Sequence, residues 1–221
     1  MDQIEGGPRN IEMTEDVKRS YDSTGRERQA SENRERIARF AHDLFAENGF
    51  GNTTINDVAK AAGVSPQTIY KGFGNKAALL RSAFFVMFRG DEADVPLAER
   101  PEARAILALS DPLERLGALA ALVTERNRRS APLLATIKVA AETEPGARDL
   151  LEEWREWLVF AATRAAQAAA LVGVALSEDD CRDIFYATMS GDLWQRLVIE
   201  RGWTDARYAA WLAEFWIKQL A

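Results

Sequence analysis

The sequence predicts an all-α protein, with an N-terminal three-helix module that contains a helix-turn-helix and a larger C-terminal helical domain. Three observations predict the class. Apolar residues recur at helical spacing from Ile37 onward, Pro, Ser, Asn, Asp and Gly punctuate the chain where helices would start and stop, and no credible strand run intervenes. With 221 residues, 47% of them hydrophobic, the chain can bury a substantial core.

The elements follow in order. Residues 1–30 lack a sustained apolar stripe, contain Gly6-Gly7-Pro8 and Ser23-Thr24-Gly25, and read as a disordered leader. From Ser31 the pattern changes: Ile37, Phe40, Ala41, Leu44 and Phe45 share one helical face, and the helix should stop near Asn48-Gly49. Thr54 with Asp57 makes a capping-box start for a second helix, which runs through Ile55–Ala62 and ends at Gly63. A third, short helix opens with Ser65 as N-cap and Pro66 in its first turn, and ends near Gly72 to Gly74. A fourth starts at Asn75 and continues to about Gly90. Asp91 to Pro101 reads as a connection. Helices are then expected from Pro112 to about Asn127, Pro132 to about Glu142, Pro145 to about Val172, Glu178 to about Arg201, and Asp205 to Leu220. The division expected from this pattern is a leader at 1–30, a short-helix domain at 31–78, and a larger helical domain at 79–221.

Composition removes several function classes. No run of 18 apolar residues is present and the polar N-terminus lacks the apolar stretch of a signal peptide, so the expected setting is cytoplasmic, with no membrane partner. Cys181 and His42 each stand alone of their type, so a His- or Cys-rich metal site is not expected, although carboxylates alone could still hold a metal; no cofactor is expected. His42 also falls off the apolar stripe of its helix. No nucleophile–base pair or Gly-rich phosphate loop is visible, which disfavours an enzyme. Net charge is −6, yet residues 31–90 carry 8 basic and 5 acidic side chains, so the positive excess sits on the short-helix segment.

That segment has the form of a helix-turn-helix, whose second helix lays its N-terminal side chains against base edges in the major groove of double-stranded DNA. Gln67 can bond an adenine edge with two hydrogen bonds, Thr68 can reach a base or a phosphate, and Pro66 can contact a thymine methyl group. Tyr70, Lys71 and Lys76 are phosphate-type donors, and the helix starts at Thr54 and Asn75 present backbone N–H groups. Val58, Val64, Ile69, Phe73 and Leu79 are the expected core of the module.

The later helices leave alternatives open. Tyr208, Trp211, Leu212 and Phe215 share one face of the last helix, with Trp216 on its flank, while Ile184, Phe185, Met189, Leu193 and Leu197 recur on the helix before it. They could form an intermolecular four-helix bundle or the core of a monomer. Trp154, Trp157 and Phe160, with Phe84, Phe85, Met87 and Phe88, could line an apolar cavity or pack tightly. Phe88, Trp154 and Trp157 are the candidate ligand contacts. Glu142, Glu144, Glu152 and Glu153 read as a solvated face.

The run RERIARFAHDLFAENGFGNTTINDVAKAAGVSPQTIYKGFGNKAALL resembles the DNA-binding domain of the tetracycline-repressor (TetR) family. It carries a Gly turn after the first helix, the Thr-Thr cap, AGVS, Thr-Ile-Tyr, Phe-x-x-Lys and Leu-Leu. The final segment, RLVIERGWTDARYAAWLAEFWIKQL, also resembles C-terminal helices of many members. The resemblance implies that Thr54, Pro66, Gln67, Thr68, Tyr70, Lys71 and Lys76 touch DNA. It implies a homodimer built by the last two helices, with Phe185, Met189, Tyr208, Trp211, Leu212 and Phe215 at the interface, that reads a palindromic operator. A repressor released by a small-molecule effector is the expected function; the alternative is an activator or partner-controlled regulator without such an effector. Gly72 stands where members often have His or Tyr against phosphate, and Gln67 replaces a common Gly or Pro, so half-site preference does not carry over.

Overall fold

The structure, a computed structural model, describes residues 15–93, 95–170 and 176–220, and among these every regular element is helical. Helix α1 spans Glu15–Asn52, with a break at Gly49 (φ 80°, ψ 163°) where the sequence places a stop. The helix begins well before Ser31. Residues 15–30, expected as disordered leader, extend α1; residues 1–14 of that leader lie outside the described residues. No apolar stripe is needed for such an extension. A docked helix already provides the nucleus, and pairs such as Arg28 with Glu32, 3.0 Å apart, support each further turn.

The next three helices form as their punctuation predicts. Helix α2 (Ile55–Ala62) has both halves of its capping box, since Asp57 N–H donates to Thr54 Oγ1 at 3.1 Å and Thr54 N–H donates to Asp57 Oδ2 at 2.8 Å. It ends at Gly63, whose left-handed φ of 65° would strain any residue with a Cβ. Helix α3 (Pro66–Phe73) is capped by Ser65 and α4 (Lys76–Arg89) by Asn75.

The body departs from expectation in three places. Helix α5 (Pro101–Ala108), preceded by a 3₁₀ turn at Leu97–Glu99, occupies a stretch to which the sequence assigns no helix. Pro132 does not open a new helix. It lies inside one continuous helix, α6 (Pro112–Ala140), because burial of this central element against α1, α4, α7 and α10 outweighs the missing N–H. Helix α7 covers Pro145–Ala170, so its expected end near Val172 falls outside the described residues. The expected helix from Glu178 to Arg201 is interrupted instead. Helix α8 (Glu178–Met189) stops at Ser190 (φ −65°, ψ 153°), and α9 (Gly191–Trp194) restarts the chain and runs on as a π-helical turn, Gln195–Glu200. Buried Asn127 on α6 accounts for the break, since its Nδ2 lies 3.4 Å from the carbonyl oxygens of both Met189 and Ser190. Helix α10 (Asp205–Leu220) closes the fold as predicted.

Two apolar clusters hold these helices. The first runs without interruption from Ile37, Phe45 and Ile69 in the short-helix module through Leu80 and Phe84 to Ile137, Trp154 and Leu158 in the body. The expected boundary at residues 78/79 therefore falls inside α4 and inside one shared core. The second cluster joins α8, α9 and α10 to α6 and α7 through Phe185, Trp194, Tyr208, Leu212 and Trp216. His42, placed off the apolar stripe by helical spacing, is only 7% exposed. Helix α1 packs on α4 and on α6, so its buried face is wider than the stripe.

Candidate nucleic-acid interface

Helix α3 is anchored by Ile69 and Phe73, both buried, and this fixes what it shows to solvent. Pro66, Gln67, Tyr70 and Lys71 form a continuous exposed strip on the opposite side, with Tyr70 53% exposed. The helix carries no acidic residue. A neutral and cationic strip on a helix rigidly seated by two apolar anchors is suited to a polyanion whose groove admits a helix.

The other expected contacts are placed differently. Thr68 is half-buried, and its Oγ1 lies 2.9 Å from Ser65 Oγ within the cap. Thr54 is exposed, but its hydroxyl is committed to Asp57, 2.6 Å away, and the bonds from Thr54 pull the Asp57 carboxyl below its usual range. Lys76 is half-buried with Nζ 4.1 Å from the centre of the Phe50 ring. Burial lowers its pKa, against an opposing pull from Glu144. Thr54, Thr68 and Lys76 thus border the strip instead of joining it.

Two residues that support this surface escaped the sequence reading. Arg34 donates from Nη1 to the Gly72 carbonyl and lies 4.6 Å over the Phe73 ring, while Arg36 Nη1 donates to the Ala62 carbonyl at 2.6 Å. Both therefore satisfy carbonyls in the last turns of α3 and α2 from the side of α1. Their only trace in the sequence is the density of arginine just before Ile37.

The candidate ligand and interface residues are also redistributed. Phe88 and Trp154 are buried in a cluster of rings 4.9 Å apart, and beside them lies a void of about 10 Å³, at most one water molecule in size. Of the expected trio only Trp157 reaches a large cavity, about 970 Å³, walled by residues around α5, the first half of α6 and the second half of α7. Phe185, Tyr208 and Leu212 are buried within the chain itself, so the structure assigns them to its own core and not to a surface. Met189, Trp211 and Phe215 are half-buried, and Trp211 stacks on Phe215 with centroids 5.7 Å apart.

Comparison with known proteins agrees with this geometry. The model of the family described as bacterial regulatory proteins, tetR family, matches residues 37–83, which hold the end of α1, all of α2 and α3, and half of α4. An HTH-type transcriptional regulator of Staphylococcus aureus (strain USA300) is 44% identical over 50 residues, 23% of this chain and 27% of the relative. The chain thus spans about a quarter of that curated relative's length. Solved structures extend the likeness at the level of fold. A transcriptional regulator from Saccharomonospora viridis, in complex with choline, has a TM-score of 0.65 at 23% identity, over 86% of this chain and 98% of that one. NalD, the secondary repressor of the MexAB-OprM multidrug efflux pump in Pseudomonas aeruginosa, has a TM-score of 0.64 at 22% identity, over 88% and 98%. Residues 37–83 thus match the DNA-binding module of the tetR family of bacterial regulatory proteins, and the chain as a whole shares its all-helical fold with these regulators.

Proposed function

We propose that the chain is a sequence-specific, DNA-binding transcriptional regulator, acting as a homodimeric repressor that a small molecule releases from a palindromic operator. The exposed strip Pro66, Gln67, Tyr70 and Lys71 on α3 carries the reading. Gln67 and Pro66 face base edges, while Tyr70 and Lys71 contact the phosphates that set the register. Two such helices, one per protomer, read the two halves of the palindrome.

The body supports the rest. Trp203, Trp211 and Phe215 form a half-buried aromatic strip beside α10, with centroids 6.1 and 5.7 Å apart, suited to a second copy of the chain. The cavity of about 970 Å³ is large enough for a small effector, and Arg89, the last residue of α4, lines it. An effector there acts on the helix that also packs against α3, and so favours one spacing of the two reading heads over another. The description of NalD as a repressor supports the sign of control, and the choline complex of the Saccharomonospora viridis regulator supports a small-molecule effector.

The test is selection of random genomic fragments on the purified chain at stated salt, followed by sequencing. Enrichment of a short palindrome supports the reading, and failure to enrich any sequence, across salt and after removal of bound small molecules, overturns it. A palindrome held at unchanged affinity in the presence of a broad metabolite extract would favour control by a protein partner.

A further inference from the structure

The large cavity has an unusual polar lining. Its walls are mostly apolar, with Leu97, Ile106, Leu116, Leu119, Trp157 and Phe160 among them. The charged side chains among its described lining residues are arginines only: Arg89, Arg115, Arg126 and Arg164. Arg126 is the most deeply buried of the four. Its side chain is only 10% exposed, and its Nε is buried without a hydrogen-bond acceptor among the described residues. Its one ion pair among the described residues is long, 3.5 Å from Nη2 to Oε1 of Glu102, whose own side chain is 41% exposed. The guanidinium otherwise lies 5.5 Å over the Phe88 ring. Arg115 also has a buried Nε without an acceptor, although its Nη2 donates to the Leu109 carbonyl. Arg164 Nη1 is 3.2 Å from Gln167 Oε1.

A guanidinium taken out of water is costly unless its donors meet acceptors and its charge meets an anion. Glu102 offsets this only in part, since the contact is long and its own side chain is 41% exposed. Burial accordingly lowers the Arg126 pKa, against the opposing pull of Glu102. An anion entering from the cavity would accept from the open donor and restore the balance, while an apolar body attached to it would fill the rest of the walls. A cationic ligand would meet the like charge of Arg126 and leave its open donor without an acceptor.

We infer that the cavity binds an amphipathic organic anion, a carboxylate on an extended or bulky apolar body, and that Arg126 is the residue that holds the carboxylate. This inference rests on the reading of the cavity as the effector site, and it names the ligand class that site takes.

Isothermal titration of the full chain with dodecanoate, dodecanol and dodecyltrimethylammonium, each below its micelle concentration, tests it without any mutation. Dodecanoate should bind about tenfold or more tighter than dodecanol, the difference expected of a charge-assisted hydrogen bond, with the cation weakest. Arg126→Met, similar in length and uncharged, should bring dodecanoate down to the level of dodecanol, and Arg126→Lys should keep part of the preference. Thermal melts of both variants show whether they fold. Equal affinity of wild-type chain for dodecanoate and dodecanol, no binding of any of the three, or an unchanged preference in a folded Arg126→Met variant would overturn the inference. Retention of the selected palindrome under saturating dodecanoate would overturn the effector reading while the anion site stands. Release of the palindrome by dodecanol as readily as by dodecanoate would keep the effector reading and overturn the anion preference.

Discussion

Arg81 on α4 and Glu153 on α7 form a two-point ion pair across the junction between the reading module and the body, with Nε donating to Oε2 at 2.7 Å and Nη2 to Oε1. Both side chains stay substantially exposed, 54% and 39%, so water screens the pair. A double-mutant cycle of Arg81→Ala and Glu153→Ala, read by urea unfolding, should give a coupling of no more than about 1 kcal/mol that shrinks with added salt. A coupling well above that would mean the pair holds the junction closed.

Packing at the same junction is predicted to matter more. A Cβ on Gly146, in the first turn of α7, would lie 2.5 Å from Ala77 Cβ on α4, and neither residue has a flexible side chain to move aside. Gly146→Ala should therefore push the two helices apart, at a cost of about 1–3 kcal/mol. Because α4 packs on α3, DNA affinity should fall along with stability. Urea unfolding and DNA titration of the same preparation check it. Wild-type stability would show that the α4–α7 contact is loose in solution.

The strip on α3 divides into two expected roles. Gln67→Ala should relax preference at one base position per half-site by about 1–3 kcal/mol, leaving other positions alone. Lys71→Ala should weaken all sequences alike and reduce the salt slope by about one unit per site. Lys76→Ala should behave differently from Lys71→Ala, because the ammonium of Lys76 sits on Phe50 and its loss costs packing in the module. Binding measured across a panel of operators at several salt concentrations separates the three. Matching profiles for Lys71→Ala and Lys76→Ala would show that Lys76 leaves Phe50 to meet phosphate.

What the sequence made legible follows from how local each determinant is. The starts of α2, α3 and α4 could be read because Thr54, Ser65 and Asn75 each bond a backbone N–H three residues on, within one turn. The break at Ser190 could not, because the group that meets its free carbonyls is Asn127, 63 positions away. Pro132 misled for the converse reason: a strong local stop signal lost to burial of the whole of α6. Of the aromatic residues left open between cavity lining and tight core, Trp154 is buried and Phe160 is 63% exposed, and spacing along α7 does not say whether a ring meets another ring or a void. Trp154 meets Phe84 and Phe88, whereas Trp157, one turn on, reaches the cavity. The arginines of that cavity come from three separate helices, α4, α6 and α7, and span residues 89–164, so no short window of sequence contains them together.

The connection between α4 and α5 also carries a pH-sensitive tie. Arg100, buried, donates to Asp91 through Nη1 at 2.9 Å and Nη2 at 2.8 Å, and so fixes the connection that leads from α4 to α5. The bonds from Arg100 hold the Asp91 carboxyl below its ordinary pKa; burial acts in the other direction, and the Ala93 N–H adds a smaller lowering. A carboxyl depressed in the folded state stabilises above its unfolded value, about 3.9, and that contribution disappears as pH falls through the folded value. Asp91→Asn should thus be less stable than wild type at neutral pH, with the gap narrowing under acid. Melting curves from neutral pH down to below 4 would reveal a constant gap if the pair contributed nothing.

Inside the second core, the Trp216 indole N–H donates to Thr188 Oγ1 at 2.8 Å, and that hydroxyl in turn donates to the Ile184 carbonyl at 2.6 Å. Trp216 is fully buried and also meets the Phe185 ring at 5.1 Å, so the indole nitrogen has no access to water. Thr188→Val keeps the shape of the side chain and removes the acceptor, leaving a buried donor unsatisfied at a cost of about 1–3 kcal/mol. For a chain of this size that corresponds to a fall in Tm of several degrees, about 2–4 °C per kcal/mol. The loss should be uniform across operators, because the bond lies between α8 and α10, far in sequence from α3. Melts must be compared at one protein concentration, since dimerisation would make Tm depend on it. A variant within about 0.5 kcal/mol of wild type would show that the indole finds another acceptor, with α8 and α10 able to slide past one another at little cost.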